Sequence, residues 1–371
     1  MRRKRFQKAG KAEETYYMVP DEFRSATGMN GLTEQGIGIY PGKRFDKCYV
    51  CRENEEAVSN YEKVRGCTML LRSAGVQYCF YELPGMDRTL LLLSLHAGSL
   101  KEAIQAFSLL EQDMQGNLYT FGITIQPLFA EEKLCLMHHL IMLDAGSARI
   151  DVARYLDKTS GWLPEYKLQH ETEQESFLKA ADGCSSVLFI RRVPAEHAAA
   201  VYRCIRQQEC LKLLVSVYEP VSDQEVMNRL RECYIGYEAT LYTLSRKKTG
   251  IGKIEEGKAE RRYVYAGIYF ILSAPEKETL EDKKSCLRER LREYSCDVAD
   301  FWHHQKETWR RLAVLSPWEI RQTMLLPSGC MIAMHPFCRE EGSFIEEDMG
   351  TKAELLAVFD TMMEGGTECR L

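Results

Sequence analysis

The first part of the chain alternates between extended and helical patterns of apolar residues. Residues 45–51 have the pattern of a strand, and Asn54 follows as the cap of a predicted helix. Residues 76–82 and 89–95 are β-rich runs joined by a Pro-Gly turn, which predicts a hairpin.

A capped helix is predicted after the hairpin. Ser99-Leu-Lys-Glu102 is a capping box, in which the serine and glutamate side chains satisfy exposed helix N–H groups. The apolar residues behind it recur at helical spacing: Leu100, Ala103, Ile104, Phe107 and Leu110. Residues 118–125 predict a strand and 131–143 a further helix, so the order is β-α-β-β-α-β, that of ferredoxin-like folds.

The second part of the chain repeats this order. Strands are predicted at 186–191, 211–218 and 263–272. Helices are predicted from Pro194, from the Ser222 cap and from the Thr279 cap, and their apolar stripes include Ala198, Val201, Tyr202, Ile205, Val226, Leu280, Leu287, Leu291 and Tyr294.

These patterns predict an α+β fold with two ferredoxin-like halves and extra helices. The halves span residues 44–145 and 184–314, separated by a polar linker over 146–183. A basic lead-in covers 1–43, and a linker-like C-terminal segment with one helix covers 315–371.

Composition narrows the class of protein. The chain is 45% hydrophobic and 28% charged, as in ordinary globular proteins, and its net charge of −5 argues against a dedicated duplex nucleic-acid binder. Its 14 cysteines are scattered, which indicates free thiols in a reducing cytosol. Cys48 and Cys51 form a C-x-x-C pair, but on a strand they point to opposite faces, so buried thiols are favoured over zinc.

The N-terminus is basic, with Arg2, Arg3, Lys4 and Arg5. It is read either as a solvated tail or as a contact with anionic lipid. The longest apolar run, near residues 90–95, is much shorter than the ~18 residues that a membrane span needs. We therefore predict a cytoplasmic protein, either free or peripheral at the inner face of the cell membrane.

No catalytic, cofactor or metal residues are predicted. Residues 252–259 resemble a phosphate-binding loop, but Ala259 stands where the magnesium-binding hydroxyl belongs, and Glu255 and Glu256 would face the phosphates. This stretch is interpreted as a charged loop.

Three tyrosines share one face of the strand over 263–272: Tyr263, Tyr265 and Tyr269. Aromatic residues pack well on sheets, so we expect them to contact protein. The alternative is base stacking, as in single-stranded nucleic-acid binders.

The clearest resemblance lies near the C-terminus. After a helix over 302–309 come Arg321-Gln-Thr-Met and Ser328-Gly-Cys-Met-Ile-Ala333-Met-His-Pro336-Phe337. Over residues 40–337, the chain resembles the N-terminal half of the VirB-type conjugation ATPases, particularly the TraE/TrsE-like members found on mobile genetic elements.

The resemblance implies a place in conjugal transfer or type IV secretion, where the family forms hexameric motors whose N-terminal half contacts the membrane-side channel. In the family a Walker A loop follows the Pro-Phe pair, whereas residues 338–371 here contain none, so no catalytic residue carries over. We expect a non-catalytic interaction module with conjugation or secretion partners, including a separately encoded ATPase, and with Trp318 and Phe337 as anchors. The alternatives are a single-stranded nucleic-acid binder or the N-terminal part of a full conjugation ATPase.

Overall fold

The protein is a mixed helix–strand structure built on one large antiparallel sheet. The computed structural model describes residues 16–19, 21–53, 71, 76–84, 88–120, 122–142, 172–173, 177–180, 183–194, 197–220 and 263–337. In these ranges 14 strands join the sheet. They are β1 (Tyr16–Met18), β2 (Gly31–Thr33), β3 (Gly38–Ile39), β4 (Arg44–Glu53), β5 (Gln77–Leu83), β6 (Arg88–His96), β7 (Ile123–Pro127), β8 (Thr172–Glu173), β9 (Leu178–Ala180), β10 (Gly183–Arg192), β11 (Leu211–Pro220), β12 (Tyr263–Ala274), β13 (Asp297–Asp300) and β14 (Met324–Pro327).

Helices cover both faces of this sheet. The described α-helices are α1 (Asp21–Thr27), α2 (Leu100–Thr120), α3 (Ala130–Met142), α4 (Ala198–Arg206), α5 (Lys277–Glu293), α6 (Gln305–Ala313) and α7 (Ser328–Ala333). Two 3-10 turns lie at Pro41–Lys43 and Pro317–Glu319. Among the helices of these ranges, none combines the length and apolar character that crossing a membrane requires.

The sheet contains two groups of four strands with the same internal order. The first runs β7-β4-β6-β5 and the second runs β13-β10-β12-β11. Numbered along the chain within each group, both orders read 4-1-3-2. β5 pairs with β11, so the two groups share one continuous ladder of backbone hydrogen bonds.

Apolar residues fill a layer on each face of the sheet. The alternation of β5 illustrates the division, because Tyr78 and Phe80 enter the first layer, whereas Cys79 and Tyr81 enter the second. Helices α2, α4, α5 and α7 cover the first layer, and α1, α3 and α6 cover the second. The sequences of the strands are therefore nearly continuous apolar runs, as expected for a sheet that is buried on both faces.

Much of the local sequence analysis is confirmed. The hairpin of β5 and β6 is present. The capping box opens α2: the Glu102 N–H donates to Ser99 Oγ at 3.3 Å, and the Gly98 N–H donates to Glu102 Oε2 at 2.8 Å. Cys48 and Cys51 are both buried and enter opposite layers. Each outcome follows from local periodicity or local hydrogen bonding.

Three predicted boundaries are wrong. The strand predicted from residue 118 begins at Ile123, because Leu118 continues the buried stripe of α2 after Met114. Helix α5 begins at Lys277, so Thr279 lies inside its first turn rather than at its cap. Helix α4 begins at Ala198, and the Pro194 carbonyl accepts a turn hydrogen bond from the His197 N–H at 3.1 Å.

The lead-in and the linker both contribute strands. Within residues 1–43, β1, β2 and β3 extend the sheet beyond β4, and α1 and β2 bury Phe23 and Leu32 in the second layer. Gly36 allows the turn between β2 and β3, since its φ is +78° and a Cβ there would lie 2.0 Å from the Leu128 carbonyl oxygen. Within 146–183, β8 and β9 form the far end of the sheet. The helices predicted after Asn54 and Ser222, the loop resembling a phosphate-binding site and the C-terminal helix lie outside the described residues.

Candidate interaction site

The most developed polar site lies where the two strand groups join. Along the β5–β11 ladder, Tyr78 faces Tyr218, Phe80 faces Ser216 and Glu82 faces Leu214. We call this ladder the seam. Its first-layer side carries a buried carboxylate, two buried tyrosines and a serine among apolar residues.

Glu82 is the centre of this site. It is 6% exposed, and burial raises the pKa of its carboxyl, while Arg206 and a hydrogen bond from Tyr202 act in the opposite direction. The Tyr202 hydroxyl donates to Glu82 Oε1, and Ser216 Oγ lies 3.2 Å from the same hydroxyl. Arg206 Nε contacts Glu82 Oε2 at 2.8 Å. Both carboxylate oxygens are therefore engaged by helix α4.

The last described residues close over the seam. We call residues 328–337, which comprise α7 and the turn after it, the closing segment. Arg206 also donates to the Pro336 carbonyl at 3.1 Å. The ring of His335 lies 4.6 Å from that of Phe80, and the ring of Phe337 lies 6.5 Å from Phe80. Polar and aromatic contacts thus fix the closing segment to both strand groups.

His335 is held in its neutral form. Burial lowers its pKa to about 3, because the charged imidazolium would lose its hydration. The Phe337 N–H donates to His335 Nδ1 at 3.3 Å, so the proton of the neutral ring resides on Nε2. The neutral ring packs edge to face against Phe80.

Both charged groups at the centre of this site are engaged by other protein groups. The carboxylate of Glu82 and the guanidinium of Arg206 bind each other and protein groups on three elements. Throughout the described ranges, no group of His, Cys, Asp and Glu side chains is arranged to hold a metal.

One of the three tyrosines on β12 is fully enclosed. Tyr269 is 0% exposed, its hydroxyl donates to the Gln322 carbonyl at 3.1 Å, and its ring lies 6.1 Å from that of Phe301. Tyr265 is half-buried, and Tyr263 begins β12 opposite Pro327. Tyr269 therefore offers no ring face to a base.

The two predicted aromatic anchors are not brought together. Phe337 is 6% exposed and belongs to the first layer. Trp318 is half-buried on the 3-10 turn Pro317–Glu319 and packs against the second layer. The two side chains lie on opposite faces of the sheet, and only Trp318 presents part of its surface. The basic residues Arg2, Arg3, Lys4 and Arg5 lie outside the described residues.

The residue that follows Trp318 forms ion pairs with two other elements. The Glu319 carboxylate lies 3.6 Å from the Arg44 guanidinium and also contacts Arg311. Arg44 stacks on the ring of Tyr40 at 4.3 Å. These contacts join the start of β4 to the end of α6, so the turn that carries Trp318 is anchored to both.

Sequence analysis missed the seam residues. A glutamate within the apolar run of β5 was the available signal, because a carboxylate in a buried strand requires a partner. Tyr202 and Arg206, four residues apart on α4, were the complementary signal. No local sequence pattern links the two segments, because Tyr202 and Glu82 are 120 residues apart in the sequence.

Comparisons with known proteins add little. No family model matches the chain, and no curated protein matches it. Among solved structures, the chain is similar to CrmK, a flavoenzyme involved in the shunt product recycling mechanism in caerulomycin biosynthesis, with 10% identity and a TM-score of 0.28. The match covers 68% of this chain and 42% of that chain, so the chain spans less than half the length of that flavoenzyme. A TM-score of this size carries no argument about fold or function.

Proposed function

We propose that the chain is a non-catalytic interaction module of a conjugative transfer or type IV secretion apparatus, similar to the N-terminal docking domain of a VirB-type ATPase. Its fold would be two ferredoxin-like halves joined edge to edge. The observation that carries this proposal is the shared strand order 4-1-3-2 of the two groups, which is the order of a split βαβ unit.

The described connections agree with that interpretation. Helix α2 connects β6 to β7 in the first group, and α4 and α5 connect β10 to β11 and β12 to β13 in the second. A ferredoxin-like half has two such crossovers, of which the described residues include both in the second group and one in the first. The resemblance to conjugation ATPases that we infer from residues 40–337 would cover the same two groups.

The proposed partner is a separately encoded conjugation ATPase in the cytoplasm. Trp318 is the candidate anchor, because it is half-buried on a turn whose Glu319 forms two ion pairs, and because aromatic side chains often dominate interface energies. The interface would bury at least ~1,000 Å² if it is specific. The rival function of single-stranded nucleic-acid binding has less support, since Tyr269 is enclosed.

Copurification tests the proposal. The tagged full chain would be expressed in its native host and captured together with its partners, which would be identified by mass spectrometry. We expect an ATPase with a G-x-x-x-x-G-K-[ST] loop, encoded near this chain, in the captured material.

A matched pair of variants makes the test specific. Trp318→Ala should reduce capture of the ATPase at least tenfold, whereas Trp302→Ala, which removes a tryptophan that is 57% exposed, should leave it unchanged. The proposal fails if no conjugation ATPase is captured. Oligonucleotide capture in its place would support the rival function.

A further inference from the structure

We propose that Arg206 is a latch that ties the closing segment to the seam, so that the closing segment is released when the seam opens. Three separate parts of the chain meet at this side chain: β5 of the first strand group, α4 of the second and the turn that follows α7. No single element contains the contact.

The geometry of arginine explains why one side chain can do this. Its donors point in different directions from a planar, permanently charged group. Nε contacts Glu82 at 2.8 Å, and a terminal nitrogen donates to the Pro336 carbonyl at 3.1 Å. Lysine has a single nitrogen on a flexible stem and cannot reproduce both contacts in this fork geometry.

Burial makes the contact with Glu82 strong. The Glu82 side chain is 8% exposed, while that of Arg206 is 37% exposed. The guanidinium therefore reaches inward from the surface to a carboxylate that has little access to water. The hydroxyl of Tyr202 donates to the other carboxylate oxygen, which fixes the orientation of the acceptor.

Ring packing reinforces the latch on the closing segment. His335 and Phe337 lie 5.5 Å apart, and both contact the ring of Phe80 on β5. Phe80 lies on the same strand as Glu82, two residues away. The ring contacts of the closing segment and the Arg206–Glu82 contact therefore both depend on the position of β5. A shift of β5 relative to β11 would disturb both together.

The consequence rests on the proposed function. If a motor docks beside this module, force on the closing segment would act on the seam between the two halves through Arg206. The latch itself is a property of the isolated chain, and its test requires no partner.

Hydrogen–deuterium exchange on the full chain provides that test. In Arg206→Met, peptides from 328–337 should exchange about tenfold faster than in the wild type, because a charge-assisted hydrogen bond no longer opposes local opening. Arg206→Lys should give a similar increase in these peptides and keep the positive charge. It preserves the test if the methionine variant folds poorly.

Two control variants isolate the latch. Glu219→Gln alters an exposed contact on the same seam, where Gln77 donates to Glu219 at 2.8 Å. Arg292→Met removes an exposed arginine on α5. We expect both variants to leave exchange in 328–337 unchanged.

A double-mutant cycle decides the outcome. Glu82→Gln should also speed exchange in 328–337, because Glu82 orients the guanidinium that donates to Pro336. The double variant Glu82→Gln/Arg206→Met should be no faster than Arg206→Met alone, because Glu82 acts on the closing segment only through Arg206. Wild-type exchange in Arg206→Met and Arg206→Lys would overturn the latch. Additive effects in the cycle would also overturn it. Neither result depends on capture of the ATPase, so failure of the latch and failure of the proposed function are distinguishable.

Discussion

A substitution at Lys133 tests how much a buried ion pair contributes to the stability of the second layer. Its side chain and that of Asp46 are both 0% exposed and form an ion pair between α3 and β4. Lys133 Nζ also donates to the Gly36 carbonyl at 3.3 Å. The pair therefore connects three elements inside an apolar layer, where neither charge has access to water.

Removing one partner should be far more costly than removing both. Lys133→Met preserves side-chain volume but leaves the Asp46 carboxylate buried without its cation, which costs about 3–5 kcal/mol. Domain stabilities are typically ~5–15 kcal/mol, so this is a large fraction of the total. Lys133→Met/Asp46→Val removes both charges, and an apolar pair of similar size costs much less.

Urea unfolding monitored by tryptophan fluorescence measures the effect. With a urea dependence of ~3 kcal/mol per molar, the single variant should unfold at a urea concentration about 1–1.7 M lower than the wild type. The double variant should recover most of this loss. Lys101→Met, at an exposed position of α2, is the control and should change the midpoint little. A single variant as stable as this control, or a double variant no better than the single one, would refute the reasoning.

Four further outcomes are expected. Deleting residues 1–11 should abolish weak, salt-sensitive sedimentation with anionic vesicles, and equal sedimentation of the truncated chain would exclude a lipid contact. Tyr265→Ala should leave single-stranded oligonucleotide binding at the wild-type background level, whereas tight binding lost in this variant would support the rival function. The folded-state pKa of His335 is about 3 against 6.5 normally, so stability should fall as pH drops below ~6.5, and His335→Phe should flatten this dependence in acid unfolding. Burial raises the pKa of Cys48 to about 12, so mass spectrometry after iodoacetamide treatment at neutral pH should find exposed Cys286 alkylated long before Cys48.

Local patterns in the sequence predicted several elements. The capping box at Ser99 marked the start of α2, because its hydrogen bonds join residues only three or four apart. The alternation of β4 correctly assigned Cys48 and Cys51 to opposite layers. Each prediction depended on the geometry of a single helix or strand, which neighbouring residues specify.

The tertiary structure decided how those elements meet. The pairing of β5 with β11 is made of backbone hydrogen bonds, which are the same for nearly every residue type, so local sequence patterns do not show which strands become neighbours. The contact of Glu82 with Arg206, and the placement of Phe337 and Trp318 on opposite faces, follow from that pairing. Side chains that are distant in the chain come together only after the sheet has assembled, and local periodicity carries no information about that step.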